Sequence, residues 1–212
     1  RLTMLPELIA ESCQRRPDSV AVSCHDQELT YEQLLSRVQK LAAGLISRSV
    51  APGTPVGVFL GKSVDAYVAM FGIQAAGAVA VPIDPMAPTT VVAKIVEEIG
   101  LTTIVVDPIR ARKLPKLAAP TLLVGPAITP DTHNATNPLT WDEIDTFDES
   151  PIRRVDPSHP AYMITTSGST GRPKAMVHSH ASGLAYAALA ADTFGLTHAD
   201  RLANVAPFHF DI

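Results

Sequence analysis

Leu5, Leu8, Ile9 and Cys13 recur at helical spacing, and Pro17 ends the run, which predicts a first helix. Val20, Val22 and Cys24 alternate with polar neighbours, as in a half-buried strand, and Asp26-Gln27 reads as a turn. Thr30, followed three residues later by Gln33, forms a capping-box pattern. The helix it opens carries Leu34, Leu35, Val38, Leu41, Ala42, Leu45 and Ile46, and Pro52-Gly53 breaks it. A buried strand is predicted from Val56 to Leu60, then a helix from about Ser63 to Ala76. A short strand from Ala78 to Val81, a helix through Val91 to Ile99, and apolar strands at Thr103 to Val106 and Thr121 to Val124 follow. Short apolar runs alternating with helices predict an α/β fold, with a parallel or mixed sheet flanked by helices.

The pattern changes at 125–160, where Pro, Asn, Thr and Asp dominate and only Leu139 to Trp141 and Ile144 are apolar. Such a stretch reads as a surface excursion or linker, with Trp141 anchoring it to the core. Beyond it a strand at Ala161 to Thr166, a loop at Ser167 to Lys174, a helix from about Ser179 to Phe194 and a strand starting at Leu202 to Val205 are predicted. The expected organisation is therefore a first α/β subdomain at 1–124, the excursion at 125–160, and the start of a second α/β subdomain at 161–212. No internal repeat interrupts this reading.

Composition narrows the function classes. The 212 residues are 46% hydrophobic and 18% charged, enough to bury a sizeable core. The net charge of -4 comes without any Lys/Arg cluster, so no nucleic-acid partner is expected. The longest apolar region, 64–82, is broken by Asp65, Gly72, Gln74 and Gly77, so no membrane partner is expected either. Cys13 and Cys24 make neither a disulfide framework nor a zinc-site spacing, and no metal ligand is assigned. With no basic-then-apolar leader, the default is a reduced, cytoplasmic setting. The chain opens at Arg1 and ends on the apolar run through Phe208, Phe210 and Ile212, which leads us to expect a piece of a longer protein.

The most informative stretch runs from Tyr162 to Lys174. Five hydroxyl side chains (Thr165, Thr166, Ser167, Ser169, Thr170) fall within six positions. Gly168 and Gly171 allow a tight turn that brings backbone amides close to an anion, and Lys174 adds a compact positive charge. Hydroxyls, amides and an ammonium are donors suited to polyphosphate oxygens. A Walker A loop counted from Gly168 requires Gly at 173 and Ser or Thr at 175, where this chain has Pro173 and Ala175. A dinucleotide fingerprint is excluded because no G-x-G follows the strand.

Thr166 to Lys174, TSGSTGRPK, resembles the phosphate loop of adenylate-forming enzymes, the superfamily of acyl-CoA synthetases, luciferases and amino-acid adenylation domains. Leu29-Thr30-Tyr31-Glu32-Gln33-Leu34, Ala76 through Pro85, and Phe208-His209-Phe210-Asp211 resemble other core motifs of that family, in its order. The resemblance implies an incomplete N-terminal part of the family's large domain, without the later nucleotide motifs and the mobile C-terminal domain; alone it is expected to be inactive. Ala175 departs from the family, which usually has Gly there. The implied chemistry is attack of a carboxylate on the α-phosphorus of ATP, release of pyrophosphate, and transfer of the acyl group to a phosphopantetheine thiol of a carrier protein or to coenzyme A. By motif match, Thr166, Ser167, Gly168, Ser169, Thr170, Gly171 and Lys174 hold phosphate, Lys174 is the catalytic candidate, and Mg2+ bridges phosphate oxygens.

Asp211 bears on which acid is activated. In amino-acid adenylation domains, which this chain resembles more than other branches, the Asp of a Phe-Asp pair meets the substrate ammonium. A buried carboxylate in an apolar pocket needs such a partner. The competing role for Asp211 is a helix cap. Phe210 and His209 are acyl-pocket candidates beside it, with core packing as their alternative, and Lys62 reads as a solvated helix end. Two further functions stay open: a coenzyme A ligase for an acid without an amine, and a non-catalytic module completed by another chain.

Overall fold

The structure is a computed structural model that describes residues 4–114, 122–125, 138–167 and 173–210. The first helix, α1, spans Glu7–Arg15, and a two-stranded antiparallel hairpin follows, β1 (Val20–Cys24) and β2 (Gln27–Thr30). The turn lies one residue earlier than the sequence pattern suggests. Cys24 pairs with Gln27 across His25 and Asp26, and His25 takes a positive φ of 54°. Thr30 caps α2 (Tyr31–Ser47) with the full reciprocal box: its hydroxyl accepts from the Gln33 amide, and the Gln33 side chain accepts from the Thr30 amide.

The remaining elements are β3 (Pro55–Phe59), α3 (Val64–Ala75), β4 (Val79–Pro82), α4 (Thr89–Ile99), β5 (Thr103–Val106), α5 (Pro108–Ala111), β6 (Leu122–Gly125), β7 (Leu139–Thr140), α6 (Trp141–Asp145), β8 (Pro160–Ser167), β9 (Pro173–Ser179) and α7 (His180–Thr193). Seven strands form one sheet in the order β7-β6-β5-β3-β4-β8-β9. All its pairs are parallel except β8 with β9, which closes one edge antiparallel. This is the α/β fold with a mixed sheet flanked by helices.

Alternation along the strands builds a core on each face. Val56, Val58, Ala80, Val105 and Val124 pack with α2 and α3, whereas Phe59, Val81, Ile104, Val106 and Leu123 pack with α4. The described residues of the 125–160 stretch, 125 and 138–160, contribute to this frame rather than only skirting it. Leu139 and Ile144 are fully buried beside α2, and Trp141 is half-buried with the Arg37 guanidinium 5.4 Å from its ring centre. The strands on either side of 125–160 belong to the same sheet, because β8 pairs with β4.

A strand at Leu202 to Val205 does not form: these residues are irregular and exposed, with Leu202 71% and Val205 83% accessible. The carbonyls of Asn204, Val205 and Ala206 accept hydrogen bonds from the Lys62 ammonium instead of a neighbouring strand.

Helix α3 is apolar on nearly all sides and lies between α2 and the sheet. The two helices meet at Gly72, where an added Cβ would stand 2.7 Å from Leu41 Cδ2, 2.9 Å from Cγ and 3.0 Å from Cβ. Leu41 is fully buried and cannot swing aside freely. Gly72→Ala should therefore destabilise the protein by about 1–3 kcal/mol, although alanine is the better helix former by about 1 kcal/mol. Urea unfolding reads the sign directly, and a more stable variant would show that the α2–α3 contact has slack.

Candidate functional site

The β8–β9 hairpin carries the site. Its register pairs Tyr162 with His178, Ile164 with Met176, and Thr166 with Lys174. Opposed residues of an antiparallel pair share a face, and so do residues two apart along a strand. These three pairs therefore form one strip. At one end Tyr162 and His178 stack, with ring centres 4.7 Å apart and planes 10° from parallel. At the other end, Lys174 is exposed, and the Thr166 hydroxyl lies 3.5 Å from the Lys174 carbonyl. Four residues of strand separate the two ends, about 13 Å.

The stacked end opens into a cavity of about 380 Å³. Tyr67, Met70, Phe71 and Gln74 of α3 form one wall, Tyr162, Ile164 and His178 a second, and Ser182 and Tyr186 of α7 a third; Phe208 and Phe210 also line it. Phe208 meets Tyr67 edge-on at 4.9 Å. The lining is aromatic and aliphatic with one buried amide: Gln74 is 3% exposed, and its Oε1 has no hydrogen-bond partner among the described residues. Aromatic walls with few polar groups are typical of a small-molecule pocket.

A smaller cavity of about 140 Å³ lies beside it, between the carboxyl ends of β3 and β4 and the 205–209 segment. His209 lines it, with Nε2 3.9 Å from Asp84 Oδ1 and its ring 4.5 Å from that of Phe210. Ligands of open parallel sheets favour this end of the strands.

The structure thus brings Thr166 and Lys174 together at the hairpin mouth and places Phe210 and His209 at the two cavities. Ser167 ends β8 opposite Pro173. Gly168, Ser169, Thr170 and Gly171, together with Asp211, lie outside the described residues. Among the described residues, no group of three or more His, Cys, Asp or Glu side chains gathers as a metal site. No helix among them is long and apolar enough to cross a membrane.

Sequence reasoning missed the α3 wall. Tyr67, Met70, Phe71 and Gln74 follow helical spacing, but the helix is apolar all round, so periodicity marks no special face. The only signal is the pair of polar handles, Tyr67 and Gln74, two turns apart. Nor is Lys62 the solvated helix end that its position suggests. Its ammonium donates to three backbone carbonyls rather than facing solvent alone.

His180 seats α7 behind the cavity. Ser179 caps the helix through its hydroxyl, which accepts from the Ser182 amide. The His180 ring is fully buried, and its Nδ1 accepts from the Leu5 backbone amide at 3.2 Å. The proton of the neutral ring therefore sits on Nε2, which has no partner among the described residues. Burial, reinforced by nearby His159 and opposed by Glu7, holds the His180 pKa down to about 4.

The comparisons with known proteins agree with this architecture. The AMP-binding enzyme family matches residues 9–212, and the chain belongs to that family. It is 33% identical over 207 residues to nonribosomal peptide synthetase 32 of Fusarium pseudograminearum, covering 97% of this chain and 2% of that protein. It is 32% identical over 212 residues to an L-proline--[L-prolyl-carrier protein] ligase of Pseudomonas fluorescens, covering all of this chain and 42% of the ligase. The crystal structure of the nonribosomal peptide synthetase FmoA3 superposes with a TM-score of 0.82 at 31% identity, over 98% of this chain and 20% of that one. The chain thus spans less than half the length of these relatives.

His180 makes stability depend on pH. The unfolded ring titrates near 6.5 and the folded ring near 4, so between those values the unfolded chain binds more protons. This contribution is complete above pH 6.5 and is lost as pH falls toward 4, by up to about 3 kcal/mol. His180→Asn, which keeps an acceptor but cannot titrate, should flatten that part of the urea-unfolding profile. A variant profile parallel to wild type would remove His180 as the cause.

Proposed function

We propose that this chain forms part of an enzyme that activates an amine-bearing carboxylic acid with ATP, as an acyl adenylate, and passes the acyl group to a carrier-protein thiol. The observation that carries the reading is the shared face of the β8–β9 hairpin, with an aromatic cavity at one end and Thr166 and Lys174 at the other. An acid seated in the cavity would direct its carboxylate along the strip toward phosphates held at the hairpin mouth.

In this reading the Lys174 ammonium neutralises charge on the β- and γ-phosphates, and the Thr166 and Ser167 hydroxyls and the amides of 168–171 donate to their oxygens. The chemistry needs positioning and charge neutralisation, not a protein nucleophile. Mg2+, when bound, would neutralise part of the phosphate charge beside these donors. Asp211, directly after the cavity residue Phe210, would pair with the substrate ammonium. The cavity walls desolvate the acid and strengthen both electrostatic contacts. Transfer to a carrier thiol is supported by the prolyl-carrier ligase, and adenylate binding by a form of FmoA3 solved with alpha-methyl-L-serine-AMP.

The test is acid-dependent ATP–pyrophosphate exchange by the complete polypeptide that carries this sequence, with amino acids and plain carboxylic acids side by side. Exchange is expected only with amine-bearing acids. Lys174→Ala should lower it about a hundredfold or more, and normal exchange in that variant would sink the role given to Lys174. Asp211→Ala should weaken use of amine-bearing acids about a hundredfold. If that variant costs little and plain acids exchange well, the protein is a coenzyme A ligase instead.

A further inference from the structure

Lys62 stands between β3 and α3, and its backbone is held on every side. Ser63, next in the chain, caps α3 by accepting from the Ala66 amide, and the Ser63 hydroxyl donates to the Gly61 carbonyl. The Gly61 amide donates to Asp107, and the Cys24 thiol approaches the Lys62 carbonyl at 3.7 Å. From this fixed base the side chain reaches across to the segment before Phe208. Its ammonium lies 2.6 Å from the Asn204 carbonyl, 2.8 Å from that of Val205 and 2.9 Å from that of Ala206, with Asn204 Oδ1 at 3.3 Å. An ammonium has three donors, and three successive carbonyls satisfy all of them. Asn204 adds a second tie, donating from Nδ2 to the Tyr67 hydroxyl at 2.8 Å.

The tethered residues are irregular and have no strand partner among the described residues, and these side-chain contacts hold their carbonyls. Two residues past the clamp, Phe208 borders both cavities; His209 lines the smaller and Phe210 the larger. Lys62 itself lines only the smaller of the two cavities, and its three donors are already taken by main-chain carbonyls.

We propose that Lys62 is a positioning residue for the acid site. It clamps the 204–206 carbonyls, and so sets where Phe208, His209, Phe210 and the following Asp211 meet the substrate, without acting on ATP. The acid-site half of this proposal rests on the activation reading above; the clamp itself does not.

Two measurements on the complete polypeptide separate these halves. Amide hydrogen exchange by mass spectrometry should show residues 203–210 exchanging about tenfold faster in Lys62→Met, with the β3–β5 core unchanged. In ATP–pyrophosphate exchange, the same variant should raise KM for the acid about tenfold or more while KM for ATP stays within about twofold. Lys62→Arg, which keeps the charge with a different donor fork, should fall between wild type and Lys62→Met. If Lys62→Met does not fold, Tyr67→Phe removes the hydroxyl that holds Asn204 and should speed exchange at 203–210 by less, the acid KM then being read on Lys62→Arg. Unchanged protection at 203–210 overturns the clamp. Equal rises in both KM values, or faster exchange with an unaltered acid KM, overturn the positioning role. A wild-type protein that exchanges with no acid removes the activation reading and the acid-site half with it, while hydrogen exchange still decides the clamp.

Discussion

The seat of α3 is the contact on which the rest of the site depends. Gly72 lets this helix come within van der Waals reach of Leu41 on α2, and Val68, Ala69, Ile73 and Ala75 are buried in the same core. A helix apolar on almost every side has no stable place at a surface, so burial dictates its depth and rotation together. That rotation presents Tyr67, Met70, Phe71 and Gln74 to the large cavity. The same placement brings Lys62, just before the helix, within reach of the 204–206 carbonyls. One packing decision thus positions a wall of the cavity and the anchor of the segment that completes it.

The second organising feature is the division of labour along one face of the hairpin. Tyr162 and His178 stack beside the aromatic cavity, whereas Lys174 is exposed at the mouth opposite Thr166. Strand periodicity alone keeps the two on the same face. A polar atom buried beside the cavity is costly unless it gains a partner. The free Oε1 of Gln74 faces such a choice inside the cavity, and the neutral His180 ring avoids the cost of a charge while tying α7 to the Leu5 amide. The apolar walls and the cationic mouth are complementary to a ligand that is apolar at one end and highly anionic at the other.

Much of the frame was legible from residue order. The capping box at Thr30 and Gln33 formed as its spacing indicates, because an N-cap satisfies amides that are local in sequence. The strands Val56, Ile104 and Leu123 belong to were apparent as short apolar runs, because strands covered on both faces cannot carry polar residues. The proposed phosphate loop is a local signal too: its candidate donors come from one short run of hydroxyl and glycine residues. Family membership rests on the match of the AMP-binding enzyme family over residues 9–212.

What the local pattern could not decide was anything requiring two distant segments to meet. Leu202 to Val205 has the composition of a strand, yet a strand exists only if another backbone supplies its ladder, and here a lysine from 142 residues away takes the Asn204 carbonyl. Lys62 looked like any solvated helix end, because its partners are main-chain atoms, which every residue type provides. Leu139 and Ile144 sit in a polar stretch, and their burial follows from where α2 happens to lie. The sequence by itself determined most of the helices and strands and the hydroxyl-rich, glycine-containing make-up of the 165–174 run, since both depend on neighbours within a few residues. Only the tertiary structure decided the strand order, the depth of α3 and the cavity it walls, since packing couples side chains with no fixed relation along the chain.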